Sequence, residues 1–97
     1  MKIVWRPMAE ADRENIFDYI AQNPPLAAIE LDEEFKARAE SAARNPEFYR
    51  TGRMRGTREI VARPNYIMVY AIEDENNTIV VLRILHSAQQ WPPETKV

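Results

Sequence analysis

The chain has 97 residues, no cysteine and a formal net charge of −2 at pH 7. That length suits one domain over residues 1–97 with a single modest core, and the missing thiols exclude disulfides and thiolate metal sites. No apolar run reaches the roughly 18 residues of a membrane span, no signal-peptide core is visible, and a negative charge disfavours a general phosphate-backbone binder, so a cytoplasmic protein away from membranes is expected.

Lys2 to Trp5 is a short apolar strand candidate closed by Pro7. Met8 to Gln22 reads as a helix, with Ile16 and Ile20 one turn apart on one face and Phe17 and Ala21 beside them. Asn23-Pro24-Pro25 ends it, because proline removes a backbone donor and restricts the residue before it. Pro25 then suits the first turn of a second helix. There Ala28, Leu31, Phe35, Ala39 and Ala42 recur at helical spacing, while Glu30, Glu33, Glu34 and Lys36 occupy the other face. Asn45-Pro46 stops it. Two helices joined by so short a break form an αα-hairpin.

The period then changes from helical to alternating. Arg58 to Ala62, Tyr66 to Ile72 and Thr78 to Leu85 are rich in the β-branched and aromatic residues that strands favour. Arg63-Pro64-Asn65 and Asp74-Glu75-Asn76-Asn77 supply turns, so the three strands should form an antiparallel meander. Tyr66, Met68, Tyr70 and Ile72 share one face of the middle strand, and Ile67, Val69 and Ala71 share the other. With both faces apolar, that strand should be central and covered on both sides. The helical hairpin can cover one; the tail with Trp91-Pro92-Pro93, or a partner protein, is left for the other. The expected fold is α+β: a short N-terminal strand, an αα-hairpin, then a three-stranded antiparallel meander.

Charge is unevenly spread along this plan. Between Arg50 and Arg63 there are five arginines and one acid, Glu59, whereas acids dominate between Ala9 and Glu34. Arginine suits binding of carboxylate or phosphate, because its planar fork donates two parallel hydrogen bonds. An RNA cut by attack of the 2′-OH needs a base, an acid and cations on the phosphate. Glu59 or His86 could be the base, Arg58, Arg63 and Arg83 could hold phosphate, and Tyr66 or Tyr70 could stack on a nucleobase. Arg83 and His86 lie three apart, however, so on a regular strand they face opposite sides. A lone histidine at a strand end is also a common packing residue, and the arginines could be a solvated face. One histidine and scattered carboxylates lack metal-ligand spacing, and with Gly52 and Gly56 the only glycines there is no phosphate-cradling loop. No metal or cofactor is expected.

The order of elements and the length resemble the RelE/ParE toxins of bacterial toxin–antitoxin modules. The matching residues are Trp5, Asp18-Tyr19-Ile20, Asn23-Pro24 with Ala27-Ala28, Gly56-Thr57-Arg58-Glu59, Pro64 through Tyr70, and Leu82 to His86 leading to Trp91-Pro92. RelE-like members cut mRNA on the ribosome; ParE-like members poison DNA gyrase without hydrolytic chemistry of their own. Ile67 stands where the nucleases tend to carry an arginine before the middle strand's Leu-Val-Tyr, and no tyrosine follows His86. The ending Arg83-Ile84-Leu85-His86 is similar to ParE. The resemblance therefore implies a growth-inhibiting, plasmid-stabilising toxin that is not itself an enzyme. A cognate antitoxin would neutralise it in a hetero-oligomer, and it would bind DNA gyrase through Arg53, Arg55, Arg58, Arg83, His86 and Trp91. The alternative it implies is a ribosome-dependent mRNA endonuclease using Glu59, Arg58, Arg83 and His86.

Overall fold

A computed structural model describes residues 1–22, 24–63 and 65–93. Asn23 and Pro64, assigned above to turns, and residues 94–97 of the tail lie outside the described residues. The elements are β1 (Lys2–Trp5), α1 (Pro7–Ala21), α2 (Pro25–Arg44), β2 (Arg50–Thr51), β3 (Arg58–Ala62), β4 (Tyr66–Glu73) and β5 (Thr78–His86), with one 3-10 turn at Asp74–Asn76 between β4 and β5. They match the sequence-based boundaries to within a residue, except for β2. That two-residue strand has no apolar residue and too few positions for a period, so only its pairing with β3 reveals it.

Both helices start on proline. Pro7 and Pro25 occupy the first turns, and neither N-cap residue, Arg6 or Pro24, bonds back through its side chain. The fixed φ of proline sets the first turn in place of a capping side chain. The two helices are held differently. α2 buries Ala28, Leu31, Phe35, Ala39, Ala42 and Ala43, its small residues letting it lie close on the sheet. α1 buries Ala9 alone and is tied down by charge: Arg13 grips Asp32 of α2 through two 2.9 Å hydrogen bonds. The Arg13 guanidinium bond holds the Asp32 carboxyl below its ordinary range, against the opposing effect of burial. The same guanidinium stacks 4.5 Å from the Trp5 ring centroid.

The sheet order is β1-β5-β4-β3-β2. β1 runs parallel to β5, pairing Lys2 with Thr78 through Trp5 with Val81, and the other pairs are antiparallel. β4 is central, and Tyr66 to Tyr70 are all buried, as the two apolar faces of the middle strand require. On the helix side, Phe35, Ile60, Met68, Tyr70, Ile79, Val81 and Ile84 form one core. On the other side, Ile67, Val69 and Leu85 form a smaller cluster, and Trp91 folds back over it with Leu82.

A β-bulge interrupts β5. Tyr70 pairs with Val81 and Val69 with Arg83, leaving Leu82 extra. The extra residue resets the alternation. Val81 and Ile84, three apart, therefore share the helix-side core, and Leu82 and Leu85 share the opposite cluster.

Candidate functional site

The arginine-rich segment folds as a tight loop between β2 and β3. The Gly52 N–H donates to the Thr57 carbonyl at 2.7 Å. The Thr57 N–H and hydroxyl both donate to the Met54 carbonyl, at 3.2 and 2.6 Å. Gly56 supplies the positive φ of 79° that the turn needs, and Thr57 packs so closely on Gly52 that a side chain there would collide. The loop's geometry is thus set by its own backbone.

Glu59 anchors this loop from beneath. Its side chain is almost fully buried and accepts from Arg50 Nη2 at 3.0 Å, the Arg53 N–H at 2.9 Å and Arg53 Nε at 3.3 Å. Burial alone would raise its pKa, but the Arg53 and Arg50 donors outweigh that and hold it below the ordinary 4.5. A carboxylate so stabilised is a weaker base, which runs against its use to abstract a proton near neutral pH.

Arg58 lies one residue away and on the other face of the sheet. Its Nη1 donates to the carbonyls of Tyr49 at 2.7 Å and Glu47 at 3.3 Å, pinning the segment that follows α2. The Tyr70 hydroxyl donates to the Pro46 carbonyl in the same region. Burial pushes the Tyr70 phenol up to about 12, with Arg58 opposing. Tyr70 is therefore a neutral core residue with its hydroxyl at the rim of the core. Tyr66 is also raised, by burial and by Tyr19.

The second cluster lies along the free edge of β5. β1 pairs only as far as Val81, and α1 covers the edge beyond it. Asp12 of α1 accepts from Arg83 Nε at 2.7 Å, from Arg83 Nη2 at 3.1 Å and from the Ile84 N–H at 2.9 Å. One carboxylate thus replaces a strand partner and fixes an arginine. The Asp12 bond also raises the Arg83 pKa against the effect of burial.

Beyond Ile84 the tail caps its own strand. Gln89 Oε1 accepts from the His86 N–H at 3.0 Å, and the Gln89 N–H returns to the His86 carbonyl at 2.8 Å. His86 Nδ1 accepts from the Ala88 N–H at 3.1 Å, and its ring stands edge-on to Tyr66 with centroids 5.6 Å apart. This turn carries Trp91 back onto Ile67, Val69 and Leu85.

The residues singled out from the sequence are therefore dispersed. Arg58 pairs with Tyr70 on the helix side of the sheet, and Glu59 with Val69 on the other. Arg83 and His86 keep the opposite alternation expected of them, because the bulge precedes both. They still border one cavity beside α1, together with Asp12, Asn15, Tyr19 and Asn65. Arg83 and Trp91 do come together, lining a second, apolar groove with Arg6, Met8, Met54 and Leu82. Arg55 is exposed on the loop tip. Asp12, Arg6 and the two methionines were invisible as site residues in the sequence. Asp12 sits among helix acids with no motif, and its role depends on a strand 71 residues away. Among the described residues no group of three or more His, Cys, Asp or Glu could hold a metal ion.

Comparison with known proteins gives this geometry a family. The model of the ParE toxin of the type II toxin–antitoxin system parDE matches residues 3–91. The chain is 37% identical over 90 residues to Toxin RelE2 of Caulobacter vibrioides, covering 91% of this chain and 97% of that one. Its fold is similar to that of a chain in the chromosomal ParDE system of P. aeruginosa, with a TM-score of 0.75 at 20% identity over 89% of this chain and 95% of that one. It is also similar to a chain of the toxin–antitoxin complex RelBE2 from Mycobacterium tuberculosis, with a TM-score of 0.61 at 25% identity over 88% and 95%. With the α+β fold, the matched residues and the relatives in agreement, the chain belongs to the ParE toxin family of type II toxin–antitoxin systems, within the RelE/ParE superfamily.

Proposed function

We propose that this toxin acts by binding a protein target, DNA gyrase, and not by cutting RNA. A cognate antitoxin holds it inactive in a cytoplasmic hetero-oligomer that controls growth or stabilises a plasmid. One observation carries the choice between binding and cleavage: the four groups an RNA cut would use are each committed to other partners, and Glu59 and Arg58 do not line the cavity that Arg83 and His86 border. Glu59 is saturated by Arg50 and Arg53, Arg58 is bonded to carbonyls on the opposite face, Arg83 is gripped by Asp12, and His86 spends Nδ1 on the tail turn. General acid–base catalysis needs its acid and base within hydrogen-bond reach of one substrate. A protein-binding mode needs only a rigid, chemically distinctive surface, which the arginine loop and the tail provide. The ParE family match supports the same reading.

A specific observation favours a second reading, the ribosome-dependent endonuclease. Arg83, His86, Tyr66 and Tyr19 border one cavity that also holds two asparagine side chains, a set suited to a nucleotide. One experiment separates the two. Antitoxin-free protein is added to translating ribosomes and mRNA 5′ ends are mapped, with a gyrase supercoiling assay run in parallel. Intact mRNA with inhibited supercoiling supports the gyrase reading. Codon-phased cuts that His86→Ala abolishes overturn it.

A further inference from the structure

Sulfur in this chain is confined to four methionines, since there is no cysteine. A peroxide that reaches the protein therefore meets thioethers and no thiol. Two of the four are shielded: Met68 is 1% exposed in the helix-side core, and Met1 packs against that same core. The other two are open, with Met8 59% exposed and Met54 38%. They come from different elements, the first turn of α1 and the arginine loop, yet both line one apolar groove of about 490 Å³ on the open side of the sheet. Their backbones are fixed, Met54 through the two Thr57 donors on its carbonyl and Met8 by the proline-started turn.

The same groove holds an unmet donor. Trp91 forms part of its wall, and the indole Nε1–H is buried with no acceptor among the described residues. A buried donor without a partner is costly. The groove as it stands offers no remedy, because its lining side chains are those of methionine, leucine, proline, tryptophan and arginine. None of these types carries an acceptor stronger than a thioether sulfur. Arg6, on the same lining, adds further donors.

Oxidation changes that inventory. A thioether lone pair attacks one oxygen of hydrogen peroxide. The O–O bond breaks, an S–O bond forms, and the second oxygen leaves as water with both protons. Sulfur gives up two electrons to the peroxide, and the charge of the protein is unchanged. The product is a polar sulfoxide whose oxygen is a strong acceptor. The unbranched methionine stem lets that oxygen swing toward a nearby donor.

We propose that Met8 and Met54 form a reversible peroxide-oxidation site. Their sulfoxides accept hydrogen bonds from the Trp91 indole and the Arg6 guanidinium. The tail is thereby fastened over Ile67, Val69 and Leu85, and an apolar groove becomes a polar one. The open face of the sheet is made sensitive to oxidant. The inference goes beyond the target-binding reading and does not depend on which target is bound.

The test treats the free, 15N-labelled full-length protein with hydrogen peroxide. Peptide mass mapping should find one added oxygen on Met8 and one on Met54 while Met68 remains a thioether. The Trp91 indole N–H signal should shift, and its exchange with solvent should slow about fivefold as it gains an acceptor. The Trp5 indole, whose ring lies under Arg13, should stay in place. Sulfoxide reductases acting on both sulfoxide epimers should return the Trp91 signal to its starting position. The double variant Met8→Leu, Met54→Leu keeps apolar volume at two exposed positions and should fold, with its Trp91 signal indifferent to peroxide. Oxidation of Met68 as fast as of Met8 overturns the inference. So does a Trp91 indole that stays unmoved or exchanges faster in the oxidised parent, a measurement that needs no variant. The same shift in the leucine variant, or a shift that the reductases do not reverse, overturns it as well.

Discussion

The two faces of the sheet are built on different principles. The helix side is a continuous core in which Phe35 meets Tyr66 edge-on with centroids 5.8 Å apart, backed by Met68, Tyr70, Ile79 and Ile84. The open side has a cluster of three buried apolar residues, Ile67, Val69 and Leu85, covered by Leu82 and the folded-back Trp91. Most of the apolar burial that stabilises the fold lies on the first face. The second face keeps apolar surface near water, and its fixed point is polar, Glu59 under the arginine loop, while Asp12 and Gln89 cap the β5 edge between the faces. Most of the stability is thereby built on one side of the sheet, and the open side is left for the recognition role proposed above. A small domain benefits from this because its stability margin is narrow and recognition surfaces contribute little to it.

The contrast can be broken most sharply on the helix side. Phe35→Ala should cost about 3–5 kcal/mol, most of the margin of a domain this size, and appear as a collapsed urea midpoint. Asp12→Ala comes next, at about 2 kcal/mol, because it leaves the Ile84 N–H and a partly buried Arg83 without their acceptor. Asp12→Asn should recover part of that through its remaining carbonyl oxygen. If both variants melt like the parent, the edge of β5 is not held as described.

The Glu59 anchor is read by pH. Its folded pKa lies below the unfolded value, so the unfolded chain binds the proton first as pH falls. The stability it contributes is full above the unfolded value near 4.5 and is lost as pH drops through the folded one. Urea midpoints of the parent and Glu59→Gln should therefore differ at pH 7 and converge in acid. A constant gap would show that the carboxylate's charge is not what holds the loop. The smallest effect belongs to the tail. Trp91→Ala should cost only about 1–2 kcal/mol while increasing binding of an apolar dye, because Ile67 and Leu85 lose their cover. Trp91→Phe should be close to neutral, since it keeps much of that cover and removes an indole N–H that has no acceptor among the described residues.

Much of the architecture was legible from local pattern. The helical recurrence of Leu31, Phe35 and Ala39, the alternation through Tyr66 to Ile72 and the proline and asparagine punctuation located both helices and three strands, because each depends on neighbours within a turn or a pleat. The residue-by-residue match across Trp5, Gly56 to Glu59 and Leu82 to Trp91 carried the family. The sequence also determined that Arg83 and His86 oppose each other, since strand alternation decides that locally. Tertiary structure decided the rest. The pairing of β1 with β5, the bulge at Leu82, the Asp12 carboxylate standing in for a strand, and the meeting of Met8, Met54 and Trp91 all join residues far apart in the chain. No periodicity encodes such meetings. They result from which faces the core consumes first, and the site is assembled from the groups that this packing leaves at the edge.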